Sequence, residues 1–194
     1  MIVLASASPR RQELLRNAGI GFTVQAADIE ETPLAGESAR DYAERLAREK
    51  ALAIFQGHRE DHVLGADTIV VVDEMILGKP RDGDDAARML RMLSGRTHAV
   101  ITGVCVVSPA ASRQPPVASK TKTASETTQV TMCEISDEEI RDYIATGEPM
   151  DKAGGYAIQG IAARWIPRIE GDYSNVVGLP VALVYAMLRK QGAI

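Results

Sequence analysis

The segment IVLASASPRRQELLRNAG, residues 2–19, decides the fold class. Ile2 to Ala5 is an apolar run of the length of a short buried strand. Ser8 carries the side-chain oxygen that an N-cap needs, and Pro9 fits the first helical position, where the missing N–H would have had no partner. Leu14, Leu15 and Ala18 give the helix an apolar side, and Gly19 ends it. A strand feeding directly into a helix is the unit from which α/β sheets are built. Arg10 and Arg11 are the anomaly. A helix N-terminus is already the positive end of the peptide dipole, so two cations there are mildly destabilising. Two readings are open: an anion held by the helix amides and two forked guanidinium groups, or arginines turned out to solvent.

The pattern continues outward from this unit. Phe22 to Ala26 reads as a second strand, and DIEETPL, residues 28–34, as an acidic loop. Ser38 caps a long helix to about Phe55, with Tyr42, Ala43, Leu46 and Ala47 on one face. Val63 to Val72 reads as a strand interrupted at Gly65-Ala66-Asp67, and Asp73-Glu74 as a turn into Ile76-Leu77. Asp82 to Leu93 is helical, Thr97 to Val107 β-rich, and Pro109 to Lys122 a Pro/Ala/Ser loop from which Thr123 to Ile135 returns as a strand. Ser136 with Glu139 forms a capping box for a helix to about Ala145. Gly154 to Ile169 carries two strand-like pieces around Gln159-Gly160, and Pro180 starts a last helix ending near Gln191. With no repeat and no linker, residues 1–194 read as one mixed α/β domain.

Composition narrows the function classes. The 22 Lys and Arg against 26 Asp and Glu leave a net charge of −4, without the basic field that non-specific nucleic-acid binding needs. An anionic ligand must therefore be met by local cations or by a metal. The 2 cysteines, Cys105 and Cys133, make no disulfide framework and read as reduced buried thiols. No apolar run reaches membrane-spanning length. The first residues are too short for a signal-peptide core, and their arginines follow it instead of preceding it. The expectation is a cytoplasmic protein with neither nucleic-acid nor membrane partners.

Five places could carry chemistry, each with an ordinary structural alternative. Lys50 continues the i,i+4 row Tyr42, Leu46, so its ammonium either meets a partner or snorkels at the core edge. Asp67, beside Thr68, lies in an apolar β run where an unpaired carboxylate is costly. It is a metal ligand or proton acceptor at a cleft, or a turn residue capping its own backbone. Lys79 in Gly78-Lys79-Pro80 is a phosphate contact or a surface turn lysine. GYAIQG, residues 155–160, with GDYS, residues 171–174, frames one Gln between glycines, which admits a flat ligand or simply makes two turns. The Gln159 amide offers one donor and one acceptor, as a uracil or thymine edge requires. The fifth place is Arg10-Arg11 itself.

Taken in order, SASPRRQELL, IEE, LAREKA, GADTIV, GKP, LSGRTH, GYAIQG and GDYSNVVGLP resemble the Maf family over nearly the whole chain. That family is one of nucleoside triphosphate pyrophosphatases, related in fold to inosine triphosphatases. The resemblance implies a mixed, strongly twisted sheet flanked by helices, with a central cleft. It implies hydrolysis of a nucleoside triphosphate to monophosphate and pyrophosphate with a divalent cation, Mg²⁺ or Mn²⁺. By match to the motifs, Asp67 would accept the proton, and Arg10, Thr68 and Gln159 would set substrate choice. Arg11, Lys50 and Lys79 would bind phosphate, and Glu31 with Asp67 would hold the metal. The Gln-centred YAIQG followed by YSNVVGLP resembles the branch acting on dTTP and UTP, and similarity also suggests a homodimer. The family name is linked to septum inhibition, so the alternative is a nucleotide-binding regulator of cell division. The Pro109–Lys122 loop is longer and richer in proline than the resemblance leads one to expect.

Overall fold

The computed structural model describes residues 1–109 and 119–194. Ile2–Leu4 forms β1 and Pro9–Asn17 forms α1, with the Ser8 hydroxyl accepting the Arg11 N–H at the helix start. Then follow β2 (Thr23–Val24), α2 (Ala39–Phe55), β3 (His62–Val72), β4 (Met75–Leu77), α3 (Gly83–Leu93), β5 (Thr97–Pro109) and β6 (Ser119–Thr131). The chain ends with α4 (Asp137–Ala145), β7 (Arg168–Glu170), α5 (Tyr173–Val177) and α6 (Val181–Lys190). The strands form one mixed sheet in the order β2-β1-β3-β5-β6-β7, with β4 paired to β3. β1 is parallel to β2 and β3, whereas β3–β4 and β6–β7 are antiparallel.

Backbone contacts group the chain into two compact units: Met1–Asp67, Thr102–Glu126 and Gly178–Ile194 in the first, and Thr68–Ile101 with Thr127–Val177 in the second. In the first unit the period-2 alternation of strands is visible in the packing. Ile2, Leu4, Leu64, Ala66, Val104 and Val106 pack with Leu15 of α1 and with Val184, Met187 and Leu188 of α6. Their neighbours Val3, Ala5, Val63, Cys105 and Val107 pack instead with Ala47, Ala51, Ile54 and Phe55 of α2. The strands are therefore apolar on both faces, as buried parallel strands are.

Two glycines set how closely α2 lies on its face. A Cβ at Gly65 would stand 2.1 Å from the Ala47 carbonyl oxygen, and one at Gly103 would stand 2.3 Å from that of Ala43. The helix meets them with the small row Ala43, Ala47, Ala51, all fully buried. This explains a departure from the sequence expectation. β3 runs without interruption from His62 to Val72, because Gly65 gives clearance to a helix and does not break the strand.

The second unit has its own core, in which Val70, Met89, Leu90, Leu93, Ile140, Tyr143, Tyr156 and Trp165 take part. Local signals hold well here. Asp73 (φ 49°) and Glu74 (φ 63°) make the two-residue turn joining β3 to β4, since this tight turn suits the twist of a hairpin. The capping box of Ser136 and Glu139 is formed, and the same Glu139 carboxylate accepts the Trp165 indole N–H at 3.1 Å. Three readings are corrected. Gly154–Ile169 is not a pair of strands: Ala153–Gly155 and Ile161–Trp165 are short 3₁₀ turns, and strand structure begins only at β7. Gly154 and Gly155 take φ of 69° and 73°, a left-handed conformation outside the β region of a regular strand. Residues 119–122 belong to β6 and Pro109 to β5, while the rest of the expected Pro-rich loop, 110–118, lies outside the described residues. Of the two thiols, only Cys105 is buried, and Cys133 is exposed. Among the described residues no helix is long and apolar enough to cross a membrane.

Candidate functional site

Asp67 shares its strand face with Val63 and Gly65, the face covered by α2. The clearance at Gly65 thus lowers onto Asp67 the helix that carries Lys50, one turn beyond Leu46 on the buried row. The Lys50 ammonium donates to Asp67 Oδ1 at 2.5 Å and pairs with Glu31 Oε1 at 2.6 Å. Lys50 and Asp67 are 9% and 7% exposed, whereas the Glu31 side chain is 48% exposed. One cation therefore bridges a buried carboxylate and one that reaches solvent. Lys50 is a paired lysine, and the reading of Asp67 as a turn residue is excluded because it sits inside β3. Burial pushes the Asp67 carboxyl above its ordinary value, against the pull of Lys50 and Arg11. Tyr42, beneath the cluster, donates its hydroxyl to the Glu31 carbonyl at 2.9 Å, and burial with the charge of Asp67 raises its own pKa.

The arginine anomaly also has a structural answer. Arg11 turns back from α1 onto the backbone of β3 and of Gly178. Its Nε donates to the Gly178 carbonyl at 2.8 Å, and its Nη1 to the Ala66 carbonyl at 2.9 Å and the Ser6 hydroxyl at 3.2 Å. It braces the backbone directly before Asp67. Burial lowers its pKa, with Asp67 opposing and Arg10 adding to the shift. Arg10 is half-buried beside it.

Thr68, Lys79 and Gln159 fall in the second unit. Thr68 follows Asp67 on β3 and is partly buried, while Lys79 and Gln159 are exposed. The segments carrying the last two are tied: the Gly154 N–H donates to the Gly78 carbonyl at 3.0 Å. Gln159 is anchored on both sides. Tyr156 bonds to buried His98 at 2.7 Å, and the Ile161 N–H donates to Glu148 at 3.1 Å, with the Tyr143 hydroxyl on the same carboxylate at 2.9 Å. A Cβ on Gly160 would lie 2.1 Å from that Glu148 oxygen. Sequence reasoning passed over Arg45, Glu37 and Glu148, and it read no pairing between His98 and Tyr156. Arg45 had a signal, since Tyr42, Arg45 and Glu49 stand at i, i+3, i+7 on one helix face.

Among the described residues no group of three or more His, Cys, Asp or Glu side chains could hold a metal ion. Glu31 and Asp67 nonetheless converge on one ammonium. Two hard carboxylates without a closed cage are the donor set that Mg²⁺ takes up when substrate phosphates and water complete its shell. The residues fit such an ion.

A family model described as Maf-like protein matches residues 1–191. A dTTP/UTP pyrophosphatase of Koribacter versatilis is 56% identical over 193 residues, covering 100% of this chain and 95% of the relative. One of Geobacter metallireducens is 51% identical, covering 100% and 97%. Among solved structures, the Ham1 protein of Staphylococcus aureus superposes with a TM-score of 0.50 at 14% identity, covering 97% of this chain and 98% of that one, a likeness of fold alone.

Proposed function

The chain belongs to the Maf-like protein family, and on that premise we propose that it hydrolyses dTTP and UTP to the monophosphate and pyrophosphate in the cytoplasm. The observation that carries the reading is the Lys50 ammonium shared between buried Asp67 and solvent-facing Glu31. Structural ion pairs are commonly replaceable by apolar packing, whereas a buried carboxylate with a raised pKa, next to a cation and a backbone brace, suits proton transfer.

In this mechanism water attacks the α-phosphorus, its proton passes to Asp67, and the α–β anhydride bond breaks with its electron pair leaving on pyrophosphate. Lys50 holds the Asp67 carboxylate in place and offsets phosphate charge. Arg11, held by its bonds to the Ala66 and Gly178 carbonyls, meets anionic oxygens together with Lys79. Arg10, Thr68 and Gln159 select the substrate by hydrogen bonding. A divalent cation held by Glu31 and Asp67 would supply charge neutralisation on the phosphate oxygens. With a net charge of −4 on the protein, such local cations have to outweigh the global field. The alternative, a regulator of cell division that binds nucleotide without turnover, has no residue in its favour: a pure binder has no use for a buried proton acceptor.

The test is pyrophosphate release from a nucleotide panel with Mg²⁺ or Mn²⁺. Release from dTTP and UTP, abolished in Asp67→Asn, is the expected result. Activity confined to 7-methyl-GTP would overturn the substrate assignment, and full activity of Asp67→Asn would overturn the role of Asp67.

A further inference from the structure

Glu31 is the exposed member of the charged cluster, and it belongs to no helix or strand. What holds its backbone is a row of side chains on α2. The Tyr42 hydroxyl donates to the Glu31 carbonyl at 2.9 Å. One turn on, Arg45 Nη2 donates to the Thr32 carbonyl at 3.0 Å. The same guanidinium grips Glu37 as a two-pronged fork, Nε to Oε1 at 2.6 Å and Nη2 to Oε2 at 2.8 Å. Glu37 in turn accepts the Leu34 N–H at 3.1 Å, which closes the loop on itself. Glu49 steadies Arg45 from the next turn through Nη1 at 3.3 Å, and the guanidinium lies over the Tyr42 ring at 5.4 Å. The side chains of Arg45 and Glu37 are only 14% and 9% exposed, unlike a solvated surface pair.

We propose that Arg45 and Glu37, with Tyr42, are positioning residues that strap the acidic loop to α2 and so present the Glu31 carboxylate to the Lys50–Asp67 cluster. The inference rests on the catalytic reading of that cluster given above. The chemistry requires an arginine. A guanidinium serves the Glu37 carboxylate and the Thr32 carbonyl at once in a fixed plane, whereas the ammonium of a lysine is a single point. The strap touches neither substrate nor reacting atoms and acts through Glu31 alone.

A double-mutant cycle tests this on the full-length chain. Arg45→Met keeps the apolar stem and removes the fork. It should lower kcat/KM for dTTP about 10- to 100-fold, the scale expected when a reacting-centre group is misplaced by about 1 Å. Arg45→Lys should rescue little, and Glu37→Gln should fall between. In a Glu31→Gln background Arg45→Met should cause no further loss, because the strap has nothing left to position. Equal losses in both backgrounds would overturn the proposal. A second readout needs no turnover: amide hydrogen exchange at Leu34 should rise at least tenfold in Arg45→Met and Glu37→Gln, with the urea midpoint near that of the wild type. Unchanged exchange at Leu34 would overturn the strap. Should Arg45→Met not fold, Glu37→Gln breaks the same contact from the loop side. A wild-type protein inactive on every nucleotide would instead remove the catalytic reading, and the exchange arm would still decide whether the strap exists.

Discussion

Each unit buries a carboxylate, and the two are paired differently. In the first, Lys50 and Asp67, 9% and 7% exposed, are buried together, and Glu31 draws the ammonium toward solvent. In the second, Asp85 is 6% exposed, but its partners Arg81 and Arg88 have side chains 83% and 53% exposed, and the Arg88 bond holds its carboxyl below the ordinary value. The second unit also buries a neutral pair: His98 bonds to Tyr156 across 2.7 Å and packs edge-on to its ring, which ties β5 to the segment before Gln159. Exposed arginines settle the one carboxylate, so the unit whose carboxylate has a raised pKa beside a cation as buried as itself is the one in which to look for chemistry.

The sharpest way to break this contrast is Asp67→Asn. Removing a proton acceptor should lower kcat by about 10²- to 10⁴-fold. Stability should change its pH dependence. Burial raises the folded-state pKa of Asp67, so its contribution is full below the unfolded pKa and is lost as pH rises through the folded one. The asparagine variant has no such proton, so its urea midpoint should fall less than that of the wild type over the same rise in pH. Midpoints that fall equally in the two proteins would remove the burial effect on Asp67.

Gly65→Ala tests the clearance that brings the charges together. The new methyl would stand 2.1 Å from the Ala47 carbonyl oxygen and 2.9 Å from the Ala51 methyl, so α2 has to lift. Overpacking of this kind costs about 1–3 kcal/mol or more, read as a loss in unfolding free energy. Activity should fall further than stability accounts for, because Lys50 lifts with the helix.

The neutral pair of the second unit has a pH signature. Burial brings His98 down from 6.5 to about 4. The unfolded chain therefore takes up a proton between those values that the folded chain refuses. Stability is complete above about pH 6.5 and declines as pH falls toward 4, by about 3 kcal/mol from this group at 1.36 kcal/mol per unit. Urea titrations of wild type and His98→Asn at pH 7 and pH 4.5 isolate the effect: the variant should lose less on acidification. Tyr156→Phe should have the smallest effect, about 1–2 kcal/mol of stability for a lost buried hydrogen bond. Because Gln159 lies three residues on, KM for dTTP should rise more than kcat falls.

Much of the architecture was legible in the sequence because the interactions concerned act over a few residues. Ser8, Ser38 and the Ser136–Glu139 box cap their helices as expected, since a cap bonds to an amide two or three positions away. The Asp73-Glu74 turn followed from the same locality. Gly154–Ile169 was misread because apolar spacing does not record that two consecutive glycines adopt left-handed angles. The motifs also marked Asp67, Lys50, Glu31 and Arg11 individually. Which of them meet was decided by tertiary structure: Lys50 reaches Asp67 across 17 positions because two glycines on neighbouring strands admit a row of alanines. Arg11 faces inward because the carbonyls of Ala66 and Gly178 lie within reach of its guanidinium. The sequence by itself determined the local turns, caps and strand faces. Only close packing of helix on sheet determined the charged cluster, because its distances are set by backbone clearance and not by spacing along the chain.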